Sequence, residues 1–437
     1  MKKISLRATA VAVAALAAGQ AWATNGMLME GYGPIALSMG GAALAYDNGT
    51  AGMMNNVATL QLGENGTRAD VALGLLGPNV SSSMTGMPTA KSGGTSYVMP
   101  AVGWIRKNDQ LSYGVGIFGQ GGMGTEYDAS SFLGADGKGT RSELGVGRLI
   151  FPVSYKVNDQ LNVGASLDYS WAGMDMMMAA DGTTLGGMVT GGSGPIAAAA
   201  PGFVAASWAR IDFSNGNDFT GAAKSGGWTG KLGLTYKISP QLTLGISHHL
   251  KTGLADMKTG ANAASMSASI GFADSGQIII HDFQMPASTT VGFALQATPK
   301  LMLAVDVKSI AWADVMKQLS MTYVSAGMGG SLDFALPQNW KDQTVVSVGG
   351  AYKYSDGLTL RAGYSHASNP IPDAYVLPIF PATIEDHFTA GFGYQISKNT
   401  SLDAAVSHAP KVTIVNGSGI SISHSQTNYQ LMLSYRY

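Results

Sequence analysis

The stretch that decides the fold is Asn428-Tyr429-Gln430-Leu431-Met432-Leu433-Ser434-Tyr435-Arg436-Tyr437. Successive side chains of an extended strand point to opposite faces. Tyr429, Leu431, Leu433, Tyr435 and Tyr437 therefore share one face, and Asn428, Gln430, Met432, Ser434 and Arg436 share the other. An aromatic face that runs to a final tyrosine suits a strand whose outer side meets lipid and whose last ring sits at the membrane–water boundary, because Tyr favours that half-wet layer. A soluble sandwich also uses such alternation, so the rest of the chain decides between them.

Lys2, Lys3 and Arg7 form a basic region, Ala8 to Ala18 an apolar one, and Ala21-Trp22-Ala23 a small-x-small site. Residues 1–23 thus read as a secretory signal peptide whose removal leaves Thr24 first. No later stretch offers the roughly 20 apolar residues of a membrane-spanning helix. Ile196 to Ala206, the longest rival, is broken by Pro201 and Gly202. An exported chain without such a helix is either free outside the cytoplasm or a barrel in the outer membrane.

Composition favours the barrel. Charged residues are 12%, glycines number 59, and the 46% of hydrophobic residues form no long blocks. That is the outcome of placing apolar side chains at every second position of many strands. There is no cysteine, hence no disulfide framework. Loss of Lys2, Lys3 and Arg7 takes 26 basic against 27 acidic residues to a net charge of about −4, which gives no reason to expect a nucleic-acid partner.

Short turn-forming stretches recur, each followed by an alternating strand. They are Lys107-Asn108-Asp109-Gln110, Asn158-Asp159-Gln160, Ser239-Pro240-Gln241, Thr298-Pro299-Lys300, Ser355-Asp356-Gly357 and Ser397-Lys398-Asn399. Asn, Asp, Pro and Gly turn the backbone tightly, so six hairpins are expected. Around Ser239, Trp228, Leu232, Leu234, Tyr236 and Ile238 oppose Thr229, Lys231, Thr235 and Lys237. In a membrane barrel the apolar parity faces lipid and the polar parity the lumen. The connections between hairpins are long, roughly residues 78–95, 120–141, 176–224, 252–285, 313–343, 368–385 and 410–426, as in barrels with short periplasmic turns and long outer loops. With a first strand near Ala69–Leu76 and the closing strand, residues 68–437 predict an all-β transmembrane antiparallel barrel of about fourteen strands.

Residues 24–67 do not read as strand. They are rich in Gly, Ala, Met and Asn, with apolar residues at helical spacing at Ile35, Leu37 and Met39 and at Ala43, Leu44 and Tyr46. A partly helical N-terminal hatch plugging the lumen is expected, since a free tail would leave this apolar surface in water.

The closing strand resembles that of bacterial outer-membrane barrels, although those more often end in Phe. Thr24-Asn25-Gly26, Gly31-Tyr32-Gly33, Met39-Gly40-Gly41-Ala42, Ala45-Tyr46-Asp47 and Asn56-Val57-Ala58 resemble the hatch of the outer-membrane long-chain fatty-acid and aromatic-hydrocarbon transporter family (FadL/TodX/OmpP1-like). Leu336-Pro337-Gln338-Asn339-Trp340-Lys341-Asp342, Leu358-Thr359-Leu360-Arg361-Ala362-Gly363, Asn369-Pro370-Ile371-Pro372-Asp373 and Asp386-His387-Phe388-Thr389-Ala390-Gly391 are similar to its C-terminal third in order and spacing. The resemblance implies a plugged barrel acting as a monomer in the outer membrane of a Gram-negative cell. Passive uptake follows from it: outer loops capture a hydrophobic ligand, a site beside the hatch holds it, and a gap in the wall releases it sideways into the bilayer. Lateral release spares the ligand a transfer into water that costs roughly 0.8 kcal/mol per methylene. Lipopolysaccharide and bilayer lipid surround such a barrel, and the barrel-assembly machinery inserts it. Where the family usually has Asn-Pro-Ala in the hatch, this chain has Asn56, Val57 and Ala58, which removes the fixed φ of proline.

Two sets of residues are expected to meet a ligand. Met27, Leu28 and Met29 occupy the place where the family's hatch tip approaches it, and Met174, Met176, Met177 and Met178 stud the start of the longest loop. Flexible thioethers make an adaptable apolar surface. Arg148, Lys231, Lys308 and Arg361 lie on the lumen parity and are candidates to hold a fatty-acid carboxylate, or else simply pair with acids such as Asp168 and Asp306. The histidines show no zinc spacing and no nucleophile elbow occurs, so neither a metal nor another cofactor is expected, and a barrel hydrolase is the weakest reading. A general diffusion porin is the stronger rival; it calls for an open pore with charge ladders, against a lumen parity of mainly Gly, Ser and Thr and a plug-like start.

Overall fold

The face that carries Tyr429, Leu431, Leu433 and Tyr435 is the outside of the molecule: these residues are 49–54% exposed, whereas Asn428, Gln430, Met432 and Ser434 between them are 1–8% exposed. A computed structural model describes residues 25–217 and 220–437 of the chain; the signal peptide and Thr24 lie outside the described residues. The same polarity holds along the other hairpins, where Trp228, Leu232, Tyr236 and Ile238 face outward and Thr229, Lys231 and Thr235 inward. Outward-facing Tyr113, Tyr155, Tyr236, Tyr352, Tyr394 and Tyr435 stand beside the six short turns. They form an aromatic girdle at that end, and Val and Leu fill the band above it.

The strands in chain order begin with β1 (Gly66–Ser83), β2 (Ala90–Lys91), β3 (Tyr97–Lys107), β4 (Leu111–Tyr127), β5 (Thr140–Lys156) and β6 (Leu161–Ala180). There follow β7 (Val189–Ser193), β8 (Ala209–Phe213), β9 (Ala223–Lys237), β10 (Leu242–His249), β11 (Gly253–Leu254), β12 (Met257–Lys258), β13 (Ala264–Ala268) and β14 (Phe272–His281). The last are β15 (Ser288–Thr298), β16 (Leu301–Ile310), β17 (Gln318–Ser325), β18 (Ser331–Pro337), β19 (Gln343–Lys353), β20 (Leu358–Ala367), β21 (Asp386–Gln395), β22 (Thr400–Val415) and β23 (Ser421–Arg436). Neighbouring strands of the wall run antiparallel, in the order β1, β3, β4, β5, β6, β9, β10, β15, β16, β19, β20, β21, β22 and β23. The wall closes where β23 returns to β1, in register from Arg68↔Arg436 to Ser83↔Ser421.

Two expectations about the fold are corrected. The first is the strand count: the described residues form one sheet of 23 segments, not about fourteen strands joined by plain loops. β2, β7, β8, β11 to β14, β17 and β18 lie within the supposed loops and pair with one another and with the wall. Most are short, and those that alternate, such as β17 with Leu319, Met321 and Tyr323 buried and β18 with Leu332, Phe334 and Leu336 buried, stand outside the six turn-joined hairpins on which the expected count rests. Wall strands also run deep into the supposed connections, β4 to Tyr127 and β6 to Ala180, which places Met174, Met176, Met177 and Met178 on a strand rather than a loop.

The second correction concerns the hatch, which holds few helical residues. Among residues 25–65 there are α-helical turns only at Pro34–Leu37 and Gly52–Asn55 and 3-10 turns at Gly49–Ala51 and Val57–Gln61, and Ala43 to Tyr46 is irregular. Gly26, Gly33, Gly40, Gly41 and Gly49 all have positive φ, which a continuing right-handed helix excludes. Backbone groups left over are taken by the wall. Gly40 N donates to Thr389 Oγ1 at 2.9 Å, Ala43 N to Asp306 Oδ2 at 2.6 Å and Thr50 N to Asp70 Oδ2 at 2.8 Å. Asn56 Nδ2 donates to Leu234 O at 3.0 Å, Gln61 Nε2 to Ser154 O at 2.8 Å and Asn428 Nδ2 to Glu30 Oε1 at 3.1 Å. These bonds reach β21, β16, β1, β9, β5 and β23, so the segment sits inside the wall and is anchored around its circumference.

Candidate functional site

Between β3 and β4 the ladder of the wall stops while both strands continue. Their register runs from Lys107↔Ser112 to Val102↔Ile117 and stops, so Tyr97–Ala101 and Phe118–Tyr127 part company. Local sequence explains the parting. Pro100 has no N–H to give a ladder and is tolerated where a strand has an open side. On the other margin β4 carries a bulge between Gly119 and Gly121, which bends it away.

The hatch tip docks in this parting. Leu28 bridges to Gly121, Gly122 N donates to Met27 O at 3.0 Å and Tyr32 Oη donates to the Gln120 carbonyl at 2.6 Å. Gly121 is required here, because an added Cβ would overlap the Met27 carbonyl oxygen. Between hatch and wall lies a narrow apolar pocket lined by Met29, Tyr32, Phe118, Met99, Pro100 and Ala101, and by Leu73, which is 55% exposed on the outer surface.

Two further apolar spaces lie towards the loops. One touches the other side of the tip and is lined by Met27, Met123, Leu144, Met174, Phe283, Met316, Leu319, Gln338 and Phe380. The second lies among the outer segments and is lined by Met178, Leu185, Met188, Ile211, Met321 and Phe334. Its Leu185 and Met188 come from the loop helix Gly182–Met188. Asp181 caps that helix, accepting from Thr184 Oγ1 at 2.7 Å and Thr184 N at 2.9 Å, and these two bonds hold its carboxyl below the usual range.

The expected site residues fall into distinct places. Met27, Leu28 and Met29 are buried at the hatch tip, with Met27 facing one cavity and Met29 the other. Met174 lines the inner cavity and Met178 the outer groove; Met176 is packed in the core and Met177 is half-buried. None of the four cations lines an apolar cavity. Arg148 Nη1 bonds Asp168 Oδ2 at 2.9 Å and its Nε bonds Gln120 Oε1 at 2.7 Å, and the Lys231 ammonium pairs with the same Asp168. Arg361 pairs with Asp403 at 2.8 Å, and Lys308 is half-buried on β16 opposite Thr290 and Val345.

In the hatch motif, Asn56 caps the 3-10 turn that Val57 begins. Its Oδ1 accepts from Ala58 N at 3.1 Å and its Nδ2 donates to Leu44 O at 2.7 Å. A reading by period misses Pro100, the Gly119–Gly124 run, Phe283, Met316, Gln338 and Phe380. The available signal is a glycine-dense strand facing a proline-bearing one, together with Met and Phe scattered through supposed loops.

Comparison with known proteins is consistent with this geometry. The structure is similar to the toluene transporter TodX of P. putida, with a TM-score of 0.84 and 32% identity over 93% of this chain and 99% of that one. It is also similar to the toluene transporter TbuX of Ralstonia pickettii, with a TM-score of 0.79 and 31% identity over 93% and 99% of the two chains. The long-chain fatty acid transport protein of Escherichia coli K12 is 24% identical over 94% of this chain and 93% of its own length. For three other curated relatives the alignment spans 15% to 56% of their length, about half or less. The profile of the family described as outer membrane protein transport protein (OMPP1/FadL/TodX) matches residues 8–431. A closed wall with an apolar outside, an anchored hatch and that match over nearly the whole sequence place the chain in the OMPP1/FadL/TodX family of outer-membrane transport proteins, a family of channels and not of enzymes.

Proposed function

We propose that this chain passes small, uncharged hydrophobic molecules across the outer membrane in three stages. The groove at Met178, Leu185 and Met188 takes the molecule from the lipopolysaccharide side. The cavity beside Met27 holds it, and the parting between β3 and β4 releases it sideways into bilayer lipid. The observation that carries this reading is the unpaired length of β3 and β4, with an apolar cavity running from the hatch tip to outward-facing Leu73. The inner cavity is tight as it stands, with about 20 Å³ of free room, so its flexible Met27, Met123, Met174 and Met316 side chains must part to admit a molecule. Arg148, Lys231 and Arg361 are already committed to acids, which favours an uncharged cargo over a fatty-acid carboxylate. The solved relatives at 31–32% identity are named as toluene transporters, which supports the same class. One chain suffices for the passage, and insertion by the barrel-assembly machinery is the expected route to the membrane.

The test is uptake of labelled toluene by cells with no transporter of their own. Cells expressing the chain take it up faster than cells with empty vector, and Ala101→Trp, which fills the parting, returns uptake to the vector level. Equal uptake with and without the chain removes the transport reading; full uptake through Ala101→Trp removes the lateral exit. A general diffusion pore is separated by planar-bilayer conductance, which stays near silent for a plugged passage.

A further inference from the structure

The inner cavity is apolar except at one point. Gln338 lines it while only 4% exposed, and its Nε2 is buried with no hydrogen-bond partner. A primary amide carries two donors and an acceptor, and leaving a donor unmet in an apolar setting costs free energy unless function requires it. The backbone shows that the placement is built. Gln338 follows directly on β18, and Gln338 N and Asn339 N both donate to Lys317 O at 2.9 Å, while Trp340 N donates to Met316 O at 3.0 Å. Asn339 holds a left-handed φ of 48°, which only a few residue types tolerate. The turn is thus pinned by three bonds to the carbonyls of Met316 and Lys317, and Met316 is itself a wall of the cavity.

Resting on the passage proposed above, we infer that Gln338 selects cargo: the cavity takes neutral hydrophobic molecules bearing one hydrogen-bonding polar atom, such as an aryl ketone, phenol or ester, in preference to bare hydrocarbons of the same shape. The remaining lining of Met27, Met123, Met174, Phe283 and Phe380 supplies adaptable contact to the ring or chain, and the amide meets the polar atom. A hydrocarbon of equal size leaves the amide unmet and loses the difference. A site with a dedicated polar group discriminates in this direction more sharply than a site of apolar contacts alone.

The test compares acetophenone with ethylbenzene, which have nearly the same shape, in cells expressing the wild-type chain or Gln338→Met. Methionine keeps length and volume, and the heat-dependent shift of a folded barrel on a gel verifies each preparation; Gln338→Leu serves if Gln338→Met does not fold. Wild-type cells are expected to take up acetophenone about tenfold better than ethylbenzene at low concentration. The variant is expected to lose that preference, its acetophenone uptake falling about tenfold further than its ethylbenzene uptake. Equal handling of the two compounds by the wild type, or an equal fall for both in the variant, overturns the role of Gln338 and leaves the passage standing. Failure of the wild type to move either compound beyond empty vector overturns the passage itself.

Discussion

Gly121→Ala tests whether the hatch tip is the latch of the wall opening. The new methyl group would overlap the Met27 carbonyl oxygen, a backbone atom that cannot swing aside like a side chain. Either β4 or the tip must shift, and β4 is held by its pairing with β5 on both sides of the bulge, from Gly116↔Ile150 to Tyr127↔Thr140. The tip therefore yields, and the 3.0 Å bond from Gly122 N to Met27 O is lost. Gly122 is buried, so its amide is left without that acceptor at a cost of roughly 1–3 kcal/mol. At a factor of ten per 1.4 kcal/mol, this raises the population of undocked tips by about five- to 150-fold. Hydrogen exchange at the Gly122 amide reads that population directly, and uptake of labelled toluene at low concentration reads its consequence. Exchange is expected to speed up within that range, and uptake to change with it while barrel melting stays put. Unchanged exchange at Gly122 refutes the latch, and faster exchange with unaltered uptake refutes its link to passage.

Three other changes bear on the supporting structure. Asp168→Asn leaves Arg148 and Lys231 buried together without their shared carboxylate, for an expected loss of about 3–5 kcal/mol in thermal unfolding, which Lys231→Met on the same background largely restores. Val57→Pro should fold normally and melt slightly higher, because Val57 is the first residue of a 3-10 turn, where a missing N–H costs nothing, whereas Asn56→Ala in the same melting assay should lose about 1–3 kcal/mol with the hydrogen bonds its side chain makes. The depressed carboxyl of Asp181 adds stability to the loop helix above its unfolded value near about pH 4, and that contribution fades as pH falls through the lower folded value. Exchange at the Leu185 amide, corrected for intrinsic rate, should therefore accelerate below about pH 4 in the wild type and be fast at all pH values in Asp181→Ala.

What could be read in the sequence was whatever a single period exposes. The outward Leu, Val and Tyr positions and the six tight turns follow from alternation and turn chemistry, because each wall strand has one face in lipid and one in a polar interior. The segments in the outer connections were missed for another reason: β13 and β17 do alternate, but they are only five and eight residues long and no tight turn of the kind that marks the six hairpins introduces them. The hatch misled through its spacing. Ala43, Leu44 and Tyr46 have helical spacing, but their backbone is committed to Asp306 and Asn56 rather than to one another. At the site, Met27 and Met29 were legible as flexible apolar residues of the tip and Met174 as one of the loop, without any sign that Met27 and Met174 share a cavity, whereas Gln338 was not legible, since its significance lies in a hydrogen bond it does not make. For the cations, pairing with acids was one of the two readings from the start, and Arg148 and Lys231 do share the expected Asp168, whereas the partner of Arg361 is Asp403.

The seam between β1 and β23 also constrains how the molecule is assembled. Glu30 meets Asn428 across 398 positions of chain, and β1 meets its final neighbour only when the last strand arrives. The hatch, made first, must wait unshielded while the strands that will enclose it are laid down, then be swallowed as the cylinder zips shut. Contacts of such long range are slow to form, so closure of the cylinder is expected to be the slow step of folding and to leave the apolar hatch exposed until it is complete.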